Sequence, residues 1–202
     1  MKIPLFTIIS IIFSCILFSE TTNKVYVALQ GVNKVGILSN DTMEASTIDI
    51  DYDLDGEQGA DAPHFIVIDE INRYWFVTTF RSEYVGRYNL DTDELIDKIS
   101  VDDAPALMVL NEQAKKLYIS RMMPMMDTEN GMTMGSASTI IQEIDYSNPT
   151  QMVLGPGFSI GSPAPHGLGI NQDGSEIYAV SNTADWFYKI IPETEEIVGV
   201  VM

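Results

Sequence analysis

The sequence predicts an all-β fold, a β-propeller built from four-stranded blades, on two fixed spacings and a count of short strands. An apolar β-rich run begins 13 residues after each of Ala62, Ala104 and Ala164, at Trp75, Leu117 and Ile177. Thr42, Thr92 and Thr194 each follow the aromatic of such a run by 16 residues, counted from Tyr26, Phe76 and Tyr178. Between these markers lie short stretches rich in aromatic and β-branched residues, separated by turn residues. A four-stranded unit recurring at about 42 residues suits a blade, because one small sheet cannot bury both of its faces alone.

Each unit reads in the same order. Ala62-Pro63-His64, Ala104-Pro105-Ala106 and Ala164-Pro165-His166 open a first strand. A polar turn follows, such as Asn171 to Glu176, and then the β-rich run. In the second unit the strands fall at about 64–69, 74–79, 84–90 and 95–101. Residues 106–116 could pass as a helix, but their register with the other copies argues for strand, turn, strand. The units run 23–50 (partial, lacking a first strand), 62–101, 104–154 and 164–202. Fewer than four full units predicts an incomplete, truncated ring or open arc of about four blades.

Residues 1–19 are read apart from the fold. Lys2 precedes an apolar run from Ile3 to Phe18, broken by Thr7, Ser10, Ser14 and Cys15. That length fits a signal peptide cut after Ser19 and falls short of the roughly 20 residues of a spanning helix. The expected destination is the periplasm or the exterior, with no membrane span in the mature domain, residues 20–202. Lipid anchoring through Cys15 is the alternative. Cys15 is the chain's one cysteine, so the mature domain has no disulfide.

The formal net charge is -18, from 29 acidic and 11 basic residues. Such a field repels nucleic acid and favours cations or basic partners.

The residues Pro63-His64, Pro165-His166-Gly167, the run Gln172 to Asn182 and the turn Leu90-Asp91-Thr92 carry a likeness. The sequence resembles the YVTN-type β-propeller repeat of YncE-like exported proteins over residues 23–202. That resemblance implies a scaffold whose surfaces bind partners or ligands in many unrelated roles.

Three groups of residues are candidate sites. Asp51, Asp53 and Asp55 followed by Gly56 match the start of a calcium loop, where alternate carboxylates converge. Position twelve is Ala62, so Asp61 or another loop would complete the shell. The alternative is a solvated acidic connection. Met122, Met123, Met125, Met126, Met132 and Met134 crowd one loop, and thioethers select Cu(I). Methionines also make adaptable apolar contacts. His64 and His166 occupy equivalent positions and could line the channel as further copper ligands or proton carriers. A purely structural slot is the alternative, since the third copy has Ala106 there.

Alternation of strand direction places the connections 51–61 and 155–163 and the loops 80–84 and 122–138 on one face, where function collects. No G-x-S-x-G, phosphate loop, H-E-x-x-H or dinucleotide fingerprint occurs. The expected function is therefore a non-enzymatic exported module that binds a ligand or protein partner through that face. A copper- or redox-linked protein and a calcium-dependent lactonase or hydrolase are the alternatives.

Overall fold

The computed structural model describes residues 23–54, 56, 61–123, 125–128 and 131–201, with the backbone alone described at 125–128 and 131–134. Among the described residues, seventeen strands are arranged in four blades and one inserted hairpin. The first blade contains β1 (Lys24–Leu29), β2 (Lys34–Ser39) and β3 (Ala45–Asp49), with a short 3-10 turn at Gln30–Val32. The second contains β4 (Pro63–Asp69), β5 (Tyr74–Thr79), β6 (Tyr84–Asn89) and β7 (Leu95–Ser100). The third opens with β8 (Pro105–Asn111) and β9 (Lys116–Arg121), then carries the hairpin β10 (Met125–Thr128) and β11 (Gly131–Met134). It closes with β12 (Ile140–Asp145) and β13 (Val153–Ser159). The fourth contains β14 (Pro165–Ile170), β15 (Ile177–Ser181), β16 (Trp186–Ile191) and β17 (Glu196–Val201).

Every blade is an antiparallel meander in chain order. The strands β4, β8 and β14 are innermost and lie side by side, and β1 takes the inner position against β4. Among the described residues the first unit is three-stranded. The region 106–116 is strand, turn, strand, so the repeat register overrode a local helical pattern.

Strand alternation explains the core. Trp75 and Val77 turn toward the first blade and Phe76 toward the third, so successive residues of β5 serve different interfaces. One apolar cluster joins the first and second blades through Val35, Ile50, Trp75 and Tyr88. The Trp75 and Tyr88 rings stack with centroids 3.9 Å apart. A second cluster joins the second and third blades, and a third joins the third and fourth. Each fully buried large side chain contributes about 1.5–3 kcal/mol. The blades hold together through their neighbours, as the repeat logic requires.

One expectation is corrected. The glycine-rich stretch after residue 154 was expected to be a connection, but β13 runs through it to Ser159. The glycines are needed because neighbouring side chains fill the Cβ positions. A Cβ at Gly155 would stand 2.6 Å from Glu143 Oε1, and one at Gly157 would stand 3.1 Å from Ile140 Cγ2. Small residues there reflect close packing within a strand.

Candidate functional site

The Ala-Pro motif builds the mouth of the inner strands. Ala62, Ala104 and Ala164 accept the same backbone hydrogen bond, from Phe80 N (2.9 Å), Met122 N (3.1 Å) and Asn182 N (2.9 Å). Each motif then breaks the ladder in the same place. Register shifts lie between Pro63 and Phe65, Pro105 and Met108, and Pro165 and Leu168. A bulge re-aims the residue it releases. It also frees a backbone N–H, and a hydroxyl takes it up: Phe65 N donates to Thr78 Oγ1 at 3.1 Å and Leu107 N to Ser120 Oγ at 3.0 Å. The fourth blade has Val180 in that position, and its methyl lies 2.6 Å from where a Gly167 Cβ would be.

His64 and His166 sit in two of these bulges. Their rings meet edge to face with centroids 6.4 Å apart, although β8 lies between their strands. The equivalent residue of β8 is the fully buried Ala106, whose methyl takes far less room than a third imidazole would. The alanine that departs from the Pro-His pattern is therefore what lets the histidines meet. Phe80 packs on His64 at 5.5 Å. Burial, and then the neighbouring His166, hold the His64 imidazole below its ordinary value of 6.5. A neutral His64 can accept a hydrogen bond or a metal through one nitrogen.

The acidic connection ends beside this mouth. Oxygens of Asp51, Asp53 and Asp61 lie within 4.8 Å of one another. Asp51 and Asp53 are exposed, whereas Asp61 is fully buried. Asp61 Oδ1 accepts from Tyr52 N at 3.0 Å and from Ser82 Oγ at 2.5 Å. Asp61 Oδ2 is buried without a hydrogen-bond partner among the described residues. Burial pushes the Asp61 carboxyl above its ordinary range, opposed by these two donors, while Asp53 and Asp51 add to the rise. The connection is tied to both blades, since Ala62 N donates to Asn33 Oδ1 and Arg81 N to the Asp61 carbonyl, both at 3.1 Å. A cleft of about 320 Å³ opens beside it, lined by Asn33, Lys34, Asp49, Asp51 and Gly56. Asp55 lies outside the described residues.

The methionine loop is placed by its backbone. Met122 and Met123 bracket Ala104 through Met122 N to the Ala104 carbonyl and Ala104 N to the Met123 carbonyl at 2.8 Å. In the β10–β11 ladder, position 125 pairs with 134, 126 with 133 and 127 with 132. The side chains of Met125, Met126, Met132 and Met134 lie outside the described residues. Ser82, Phe80 and Tyr52 complete the mouth and were not singled out from sequence. A single serine or phenylalanine in a short loop carries no pattern that marks it.

No family model matches the chain, and no curated protein matches it either. Solved structures do match. The β-propeller domain of Cps50 (Swd1) from Myceliophteria thermophila aligns with a TM-score of 0.68 at 11% identity, covering 89% of this chain and 57% of that one. Hydrazine synthase of Kuenenia stuttgartiensis aligns with a TM-score of 0.69 at 15% identity, covering 89% and 46%. A catalytically inactive virginiamycin B lyase from Staphylococcus aureus, with quinupristin, aligns with a TM-score of 0.67 at 15% identity, covering 90% and 53%. The chain is a β-propeller protein, and it spans about half the length of these structures. At such identities the likeness establishes the fold alone, and among the described residues no helix is long and apolar enough to cross a membrane.

Proposed function

We propose that the chain is an exported propeller module of the YVTN type that binds a cationic ligand or a basic protein partner on the face bearing His64 and His166. The observation that carries this reading is the convergence of the two histidines over Ala106 at the mouth of the inner strands. The net charge of -18 supports a cationic ligand, because the field of a strongly acidic protein attracts the opposite charge. Export rests on the apolar segment Ile3 to Phe18.

Thermal melting with spermidine and with a Lys/Arg-rich peptide tests it, comparing the wild type with His64→Ala/His166→Ala. A ligand that binds only the folded state raises the melting temperature by mass action. The expected result is a rise in the wild type that shrinks in the double variant and weakens with salt. An equal rise in both proteins would move binding away from this face. Calcium-dependent turnover of esters or lactones, lost in the double variant, would instead make the same mouth a hydrolytic centre.

A further inference from the structure

We infer that Asp51, Asp53 and Asp61 form a calcium site that clamps the connection between the first two blades. Three facts of geometry lead to it. First, the carboxylate oxygens stand within 4.8 Å of one another. Calcium takes oxygen ligands at about 2.3–2.6 Å, so two ligands of one ion stand up to about 5 Å apart. Second, Asp61 is fully buried and Oδ2 has no hydrogen-bond partner among the described residues. A buried carboxylate oxygen left unsatisfied is costly, and a cation beside it removes that cost. Third, the donors are all hard oxygens, which suit calcium or magnesium rather than copper or zinc.

The choice of calcium follows from where the ligands lie. Asp51 and Asp53 come from the start of one connection and Asp61 from its end, with Leu54 and Gly56 at positive φ (62° and 69°) between them. An irregular shell from a single loop suits calcium, whereas magnesium demands near-ideal octahedral geometry at shorter distances. The site also has a mechanical link to the core. Tyr52 stands between the first two ligands, donates its N–H to Asp61, and donates its buried hydroxyl to Tyr88 Oη at 2.8 Å. Ser82 ties Asp61 to the turn after β5. An ion here would brace the first blade against the second. This inference stands apart from the ligand reading of the histidine mouth.

The test uses the full-length chain, stripped with a chelator and titrated with Ca²⁺, with Mg²⁺ and with Tb³⁺ as a luminescent stand-in. The expected results are one bound Ca²⁺ per chain, a melting temperature that climbs with Ca²⁺ concentration, and Tb³⁺ emission excited through Tyr52. Asp61→Asn keeps an acceptor for Tyr52 N and Ser82 and should abolish all three signals. Asp53→Asn changes an exposed residue and keeps its size. It should weaken Ca²⁺ binding on the order of tenfold or more, because affinity follows the ligand charge count. Equal Ca²⁺ binding by wild type and both variants would overturn the proposal and point to diffuse binding by the acidic surface. The absence of any Ca²⁺-dependent rise in the wild type would overturn it as well. An equal response to Mg²⁺ would overturn the calcium assignment.

Discussion

At the scale of single residues, complementary sizes decide where side chains reach. Ala106 is small where its repeat partners are histidines, and the space it leaves lets His64 and His166 meet. Gly86 plays the same part for Tyr52. A Cβ at Gly86 would stand 1.7 Å from the Tyr52 hydroxyl, so the ring of the connection fills the gap in β6. Gly86→Ala must push Tyr52 out of its contact with Tyr88. It should lower stability by about 1–3 kcal/mol, measured by urea denaturation, and a neutral substitution would contradict this packing. The histidines were legible in the sequence because the repeat put them in register. Their meeting was not, since spacing along the chain does not show which inner strands face each other. Tyr52 and Ser82 were not legible either, because nothing local marks a residue whose partner is supplied by another loop.

At the scale of elements, each blade uses the same positions with different chemistry. The pair formed by the residue just before the apolar run (Tyr74, Lys116 or Glu176) and the third-strand residue opposite the aromatic of that run illustrates this. In the second blade, Arg87 lies over the Tyr74 ring, with the guanidinium carbon 5.1 Å from its centroid. In the third, Lys116 pairs with Glu143 at 2.6 Å, and in the fourth Lys189 pairs with Glu176 at 3.0 Å with the charges exchanged. Arg87 also staples two blades, donating to Asp97 at 2.7 Å and to the carbonyls of Tyr146 and Asn148 at 3.2 and 2.9 Å. Its side chain is fully buried. Arg87→Ala takes the guanidinium from Asp97 Oδ1 and from two carbonyls, leaving Asp97 with the Met152 N–H at Oδ2. Chemical denaturation should show a loss of about 3–5 kcal/mol, and a loss below 1 kcal/mol would deny the staple its role. The strands of the second blade were readable almost to the residue, because its turns are short and its alternation is regular. In the third blade the first two strands were readable, but the hairpin at 125–134 was read as a loop and the stretch beyond 154 as a connection. Its outer strand is glycine-rich for packing reasons, and glycine in sequence signals a turn first.

At the scale of the whole molecule, three apolar clusters lie between blades, and each blade is completed by its neighbours. That architecture was legible because two independent spacings recur, and chance rarely preserves both. The site was legible only in part: the face could be inferred from strand direction, but not the bulge that turns the histidines inward. The central claim is that the equivalent Pro-His positions of two separate blades converge on one mouth. The chain has two histidines, so its NMR spectrum holds one imidazole Hε1 signal from each. The most direct measurement is therefore an NMR pH titration of the wild type and of His166→Gln. The account predicts that His64 titrates below 6.5 in the wild type and moves upward when the His166 charge is removed. A His64 that titrates at its ordinary value, or is indifferent to His166, would contradict it.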